Sequence, residues 1–491
     1  MITLKSLFKN TIYNLIYRLF SLLFPLISSI YVSRILMPEG VGKVAYAQNL
    51  VSYFIVFAGL GIANYGIREI GRVQKNSVEY SKVFTELFII TLISTTFCSI
   101  LYYSWVLIFL PPDKEFLLYI AVGFQLVLSA FNVDWFYQGM EEYKYITNRS
   151  ILIKFVALIF MFCTVKTEND IVWYALMSSV AIGGNNIINL FHLRKYITKV
   201  SFKEISLKYH IKPLLILLST NLAVELYTKL DTTTLGILAH DENVGYYNYA
   251  TKISSIVVTL AATFSTVLLP RLSYHFKNGD NEKLKEIVAL IHKVLLTLSI
   301  PITIGLFFIA DDVILLMFGE PFLPAAITVR ILSLLVTIKS IGNLYGVQVL
   351  LTFGGEKFLF YTTIIGAISN ILMNIILIPY WQENGAAIAS VISELLVCIV
   401  QIVFSRQYIK VSIQPKIYLE IFVSCLFMVI VLFMISTLVS NILIRIFLNC
   451  ILGCITYYIL MSLLKNEVVL NINNKISSII KKIKSKTLKE G

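Results

Sequence analysis

The chain has 491 residues, 57% of them hydrophobic and only 14% charged, with a formal net charge of +13. Soluble domains carry about 25% charged residues, so this composition excludes a water-soluble fold and makes lipid the main solvent. The positive excess suits membrane topology and anionic headgroups and gives no reason to expect nucleic acid.

Apolar runs long enough to cross a bilayer need about 20 residues each. The first, from near Thr11 to Leu36, is too long for a signal-peptide core and precedes no A-x-A-like cleavage site, so it reads as a retained span. In chain order the predicted spans are 11–35, 43–66, 83–110, 116–138, 146–166, 170–192, 212–238, 246–269, 288–310, 325–351, 358–379, 385–405, 417–440 and 443–464, an all-α protein of fourteen transmembrane helices. Breaker residues mark the turns: Pro38-Glu39-Gly40, Pro111-Pro112-Asp113, Asp241-Glu242-Asn243, Gly354-Gly355 and Glu383-Asn384-Gly385. The six cysteines all lie in apolar runs without a CxxC, which is no disulfide framework. The five histidines are scattered without metal-ligand spacing, so neither a metal nor another cofactor is expected.

Sorting Lys and Arg by loop puts about thirty on one side, including Arg68, Arg72, Lys144, Arg149, Arg194 and Lys277. About four lie opposite (Arg34, Lys114, Lys166, Arg445). The positive-inside bias places both termini in the cytoplasm and supports an even helix count. The tail "KISSIIKKIKSKTLKE" spaces isoleucines helically between lysines, as an amphipathic helix on the inner leaflet would; a solvated tail is the alternative.

The stretch "MPEGVGKVAYA" (Met37 to Ala47) returns as "HDENVGYYNYA" (His240 to Ala250). Glu39, Val41, Gly42, Tyr46 and Ala47 match Glu242, Val244, Gly245, Tyr249 and Ala250 in one register. The copies are six predicted helices apart, so they face the same way across the membrane. "EN" at Glu168-Asn169 and Glu383-Asn384, and "RKYI" (from Arg194) against "RQYI" (from Arg406), echo the repeat. This predicts two six-helix bundles related by a parallel repeat, residues 1–209 and 210–410, with two further helices in 411–464 and a basic cytoplasmic tail in 465–491.

The stretches "FPLISSIYVSRILMPEGVGKVAYAQNLVSYF" (from Phe24) and "GLGIANYGIREIGR" (from Gly59) resemble the N-terminal hallmark of bacterial polysaccharide repeat-unit flippases. These are the O-antigen and capsule flippases of the multidrug/oligosaccharidyl-lipid/polysaccharide exporter superfamily. "NVDWFYQGMEEYKYITNRS" (from Asn132), "LYTKLDTTTLGIL" (from Leu226) with "NVGYYNYATKI" (from Asn243), and "NGAAIASVISELL" (from Asn384) are similar to further hallmarks. Together they run from about residue 10 to 410 in family order. The resemblance implies an undecaprenyl-pyrophosphate-linked oligosaccharide as cargo and two bundles that open alternately to each face. It implies a place in the bacterial cytoplasmic membrane, for surface polysaccharide assembly, where a polymerase and other assembly proteins would be partners besides the bilayer. "GLGIANYG" lacks the spacing of a dinucleotide fingerprint; small residues that let helices pack closely account for it better.

Charges inside spans carry the remaining information. Each costs about 2.5–3.5 kcal/mol at a helix centre, so each calls for a partner or a wet cavity. The cations Arg18, Lys154, Lys229, Lys252, Arg330 and Lys339 are the candidate substrate-binding residues, because Arg and Lys hold pyrophosphate oxygens by charge-assisted hydrogen bonds. The anions Asp134, Glu225, Asp231 and Glu394 are coupling or ion-pair candidates, and Glu86 is a further embedded acid. Glu225 and Lys229 are four apart and could neutralise each other. Arg330 and Lys339 are about half a turn out of phase. Asp311-Asp312 reads as an acidic helix end. The expected function is a flippase with no catalytic residues, not an enzyme. A cation-coupled drug antiporter of the same superfamily would carry mostly acidic embedded charges. A membrane polymerase or glycosyltransferase would need larger outer loops.

Overall fold

A computed structural model describes residues 4–198, 200–266, 280–411, 415–471 and 473. The predicted tail helix lies outside them. No strand occurs among the described residues. Lipid explains this: hydrocarbon offers a backbone N–H or C=O no partner, so each segment must satisfy its own. Eleven stretches are long and apolar enough to cross a membrane. Two of them, Leu23–Val73 and Lys357–Ser405, run to 51 and 49 residues, more than twice the roughly 20 a bilayer needs.

Each long stretch contains a break at a single residue of positive φ, and the first turns again at Leu60-Gly61. Helix α1 (Leu4–Gly59) is interrupted at Met37, with φ 56° and ψ 176°. Pro38 follows and starts the next helical segment, a position where its missing N–H costs nothing. Helix α12 (Glu356–Ser405) is interrupted the same way at Gln382. The helices between are α2 (Ile62–Val73), α3 (Ser77–Phe109), α4 (Lys114–Ser129), α5 (Asp134–Gly139), α6 (Tyr143–Thr164), α7 (Ile171–Leu193), α8 (Lys208–Leu238), α9 (Asp241–Thr266), α10 (Asn281–Phe318) and α11 (Ala325–Asn343). After α12 come α13 (Pro415–Leu438) and α14 (Ile442–Leu463). Polar side chains start several of them. Asn76 accepts from Val78 N–H at 3.2 Å, and Asp113 accepts from Glu115 N–H at 2.8 Å, each satisfying an otherwise orphaned N–H.

The chain forms two compact units, residues 1–248 and 249–491. In the first, α1 packs on α3, α4, α6 and α8, α4 and α6 pack on α7, and α2 packs on α5. Its aromatic core joins two of the sequence hallmarks. Trp135, Phe136 and Tyr137 of α5 are buried with Tyr65 and Ile70 of α2 and Phe84 of α3. A Cβ at Gly66 would collide with the Trp135 ring, and Gly61 has φ 76°. These two glycines therefore serve packing and a left-handed turn, while Gly59 has open space around it. In the second unit α10 packs on α11, α13 and α14, and α11 packs on α12. A π-helical turn, Leu344–Leu350, follows α11. Large apolar side chains such as Leu107, Ile108 and Phe109 point outward, as a lipid-facing surface requires.

The two copies of the repeated stretch touch within the first unit. Each starts a helix, and Glu39 and Glu242 lie in the first turns, where the helix dipole favours an acid. A Cβ at Gly42 would collide with the carbonyl oxygen of Asp241, and one at Gly245 with that of Pro38. Pro38 and Asp241 are related by the same sequence offset as Gly42 and Gly245. The contact is thus self-complementary, in the manner of an isologous interface. Val41, Val244, Ala47 and Ala250 are buried in matching positions.

Gly42→Ala and Gly245→Ala are each expected to destabilise the protein by about 1–3 kcal/mol through overpacking. Because both relieve one contact, the double variant should cost less than the sum. Denaturation of detergent-solubilised protein measures this; strictly additive losses would show two independent sites.

Candidate functional site

A polar seam runs through the first unit between α1, α5, α6 and α7. It begins where Asn132 turns the chain, its Oδ1 accepting from Asp134 N–H at 3.2 Å. This places Asp134 at the start of α5. Asp134 Oδ1 then accepts from Arg149 Nη2 of α6 at 2.8 Å and from Asn189 Nδ2 of α7 at 2.7 Å. The Arg149 guanidinium is 5.3 Å from the centroid of the Tyr145 ring. Its side chain is only 4% exposed, and its Nε and Nη1 have no hydrogen-bond partner among the described residues. Asn189 Oδ1 is likewise buried and unpaired. Further along α6, Lys154 donates to Ser21 Oγ of α1 at 2.9 Å and lies 5.7 Å from the Tyr17 ring centroid. One carboxylate against two cations leaves the seam net positive.

The other sequence candidates divide by partner. Arg330 forms an ion pair with Asp311, and Lys339 pairs with Glu394 at 3.0 Å. The two cations on α11 thus turn to different helices, α10 and α12, as their half-turn phase difference requires. Asp312 pairs with Arg445 of α14. The Asp311-Asp312 doublet therefore anchors helices by ion pairs and does not cap one, since α10 continues to Phe318. Asp231 of α8 is buried and accepts from Tyr247 O–H at 2.7 Å. Two residues on, Thr233 joins α8 to α1 through Asn49 Nδ2 and Tyr53 O–H, both at 2.6 Å. Glu225 and Lys229 are half-buried and form no ion pair among the described residues, so they do not neutralise each other. Lys252 lies 4.7 Å from the Tyr249 ring centroid. The Arg18 side chain lies outside the described residues. At the repeat contact, burial pushes the Asp241 carboxyl above the usual carboxylate range, with Lys43 pulling the other way.

The structure thus joins Asp134 to Arg149 and brings Lys154 into the same seam. Arg149 escaped the sequence reading because sorting by loop counted it among the inside positive charges. Its burial follows from α6 starting at Tyr143, two turns before it. Glu86 also gains a partner, His210 of α8, at 2.9 Å.

Removing one member of a buried pair costs about 3–5 kcal/mol, because a lone buried charge remains. Asp134→Asn should therefore lower membrane abundance, and Asp134→Asn with Arg149→Met should restore it. Immunoblots of membrane fractions decide the point. A double variant no more abundant than the single one would mean that Asp134 and Arg149 are not coupled.

Comparison with known proteins gives a consistent result. The polysaccharide biosynthesis protein family matches residues 7–276, and the family described as Lipid II flippase MurJ matches residues 150–455, each more than half of the chain. A protein described as an O-antigen transporter from Shigella dysenteriae is 26% identical over 378 residues, covering 76% of this chain and 93% of its own length. Its counterpart from Escherichia coli (strain K12) is 24% identical, covering 82% and 97%. The solved structure of the Lipid II flippase MurJ in an inward closed conformation superposes with a TM-score of 0.62 at 18% identity, covering 91% of this chain and 99% of that one. An inward-facing multidrug resistance MATE family transporter gives 0.60 at 16% identity, covering 78% and 93%; both show a shared fold. The chain belongs to the polysaccharide biosynthesis protein family and is a polysaccharide flippase of the multidrug/oligosaccharidyl-lipid/polysaccharide exporter superfamily.

Proposed function

We propose that this flippase carries an undecaprenyl-pyrophosphate-linked oligosaccharide repeat unit from the inner to the outer leaflet by alternating access. The observation that carries the reading is the net-positive seam, where the buried Arg149 guanidinium leaves Nε and Nη1 without a hydrogen-bond partner among the described residues. Such donors suit phosphate oxygens, which Arg and Lys bind by charge-assisted hydrogen bonds. The lipid tail stays in the bilayer while the headgroup meets cations of each unit: Arg18, Lys154 and Lys229 in the first, with Arg149 added from the structure, and Lys252 in the second. Arg330 and Lys339 move to a structural role, because each ties two helices through a carboxylate and, among the described residues, neither keeps a buried unpaired nitrogen as Arg149 does. The drug-antiporter alternative would carry mostly acidic embedded charges, whereas the spans of this chain hold several cations, and Asp134 and Glu394 are both paired with cations. The protein acts as a transporter and catalyses no bond chemistry.

The breaks at Met37 and Gln382 support dividing the two long stretches into four spans. Counting α9 as well brings the spans to fourteen, and the positive-inside bias supports both termini in the cytoplasm of a bacterial inner or plasma membrane; the expected bundles of six (1–209 and 210–410) differ from the compact units because α8 packs on α1 and α2. Reporters fused after Asn278 and after Lys489 should then read cytoplasm, and reporters inserted at Asp113 or Asn384 should read outside. Two reversed readings would overturn the fourteen-span arrangement.

Replacing Arg18, Lys154 or Lys252 with Gln removes a charged partner worth about 1.5–3 kcal/mol. Export should fall roughly ten- to a hundredfold, since 1.4 kcal/mol is a factor of ten. Lys at position 18 should restore part of it, because the charge persists without the bidentate fork. The assay is polymer export in a strain lacking its flippase, normalised to protein in the membrane. Normal export from all three Gln variants at normal abundance would overturn this role for the cations.

A further inference from the structure

The cations discussed so far leave the bare face of α8 unused. This helix of the first unit is anchored near both ends. Close to its start, His210 meets Glu86 of α3 and Tyr65 of α2. Close to its end, Thr233 meets Asn49 and Tyr53 of α1. Between the anchors little packs on it. Only 6% of its apolar stretch is buried, against 22% or more in every other described stretch long enough to cross a membrane.

A cavity of about 500 Å³ opens on this face, lined among the described residues by Lys208, Ile211, Lys212, Leu215, Ile216 and Ser219. Steps of three and four residues put all six on one stripe of the helix. The lysines stand at the start of the stripe. Ile211, Leu215 and Ile216 continue it toward the helix centre and are 46%, 51% and 62% exposed. Ser219 ends it, with its hydroxyl donating to the Leu215 carbonyl one turn back.

Both lysines are exposed, and neither forms an ion pair among the described residues. The first turn of α8 holds no acid, although the helix dipole favours acids there and disfavours cations. Lys208 therefore does not serve the stability of its own helix. The sorting of charge across a membrane asks for lysines on this side, but any loop position satisfies it. Alignment of two lysines with an apolar recess is a further property. It calls for a ligand with an anionic head and an apolar chain. Side chains four apart on a helix are neighbours, with Cβ atoms about 5–6 Å apart, so two ammonium groups can reach two adjoining phosphoryl groups and hold them by charge-assisted hydrogen bonds. A stripe on one helix has room for one hydrocarbon chain, which fits an isoprenyl lipid better than the paired acyl chains of a glycerophospholipid.

We propose that the α8 stripe is a docking site for an isoprenyl pyrophosphate, with the pyrophosphate between Lys208 and Lys212 and the start of the chain along Ile211, Leu215 and Ile216. The site receives the carrier lipid at the cytoplasmic edge of the bilayer, before its headgroup meets the cations deeper in the protein. The inference rests on the flippase reading for the identity of the carrier.

The test is binding of radiolabelled farnesyl pyrophosphate to the full-length protein in phosphatidylcholine nanodiscs, corrected for binding to empty nanodiscs. Lys208→Gln and Lys212→Gln should each weaken binding about fivefold, the scale of an exposed charge pair, and the double variant should weaken it further. Arg at both positions keeps the charges and should bind as the wild type does. Lys203→Gln removes an exposed lysine outside the stripe and should change nothing. Ile216→Trp fills the recess and should weaken binding. Inorganic pyrophosphate should compete poorly, because it lacks the chain. A photoreactive farnesyl pyrophosphate should label residues 208–219. Unchanged binding in the double Gln variant or in Ile216→Trp would overturn the proposal. So would equal competition by inorganic pyrophosphate, or stronger labelling of residues 208–219 by a photoreactive phosphatidylglycerol. Lysine-dependent binding in a protein that exports no polymer would end the cargo reading and leave the site standing. Normal export with binding indifferent to both lysines would end the site and leave the cargo reading.

Discussion

Hydrocarbon cannot hydrogen-bond, and the structure follows from that constraint. Every backbone group in the bilayer must find its partner inside its own helix, so the described chain is helical nearly throughout. Polar side chains obey the same rule. Ser28 and Ser29 donate to the Pro25 carbonyl, and Thr91 and Thr147 donate to carbonyls one turn back. Charges that cannot be satisfied within a helix are satisfied between helices, as Asp134–Arg149, Lys339–Glu394 and Glu86–His210 show. Each such pair also fixes which helices are neighbours, because a lone buried charge would be far more costly than the pair.

The repeated stretch shows how little sequence is needed to build a symmetric contact. A break, an acid in the first turn and a glycine one turn later recur once in the chain. The glycines let each copy approach the backbone of the other at the equivalent carbonyl. Backbone-to-backbone approach brings helix ends closer than any side chain would allow, and it depends on the absence of a Cβ at two positions. Buried positions around it repeat, Val41 with Val244 and Ala47 with Ala250, while the half-buried Lys43 and Tyr246 differ at matching positions.

The charged side chains fall into two groups with different physics. Arg330 and Lys339 satisfy themselves with carboxylates and tie helices together. Arg149 and Lys154 share a seam that has more positive than negative charge, and Arg149 retains hydrogen-bonding capacity that no other described residue uses. Unused donors on a guanidinium held rigidly by Asp134 are pre-organised, since the cost of orienting them is met by folding.

Periodicity and composition alone determined the helical, membrane-spanning class and the internal repeat. These depend on properties summed along the chain, which no single contact can overturn. The family resemblance was legible too, because its hallmarks are long and fall in order. Tertiary structure decided which charges meet. Arg149 looked like a loop cation until the start of α6 placed it beside Asp134. Glu86 had no visible partner, because His210 is 124 residues away on a helix that only folding brings alongside. Glu225 and Lys229 had the spacing of a pair and do not form one. Spacing on one helix sets which side chains can meet, but the packing of neighbouring helices sets which of them do.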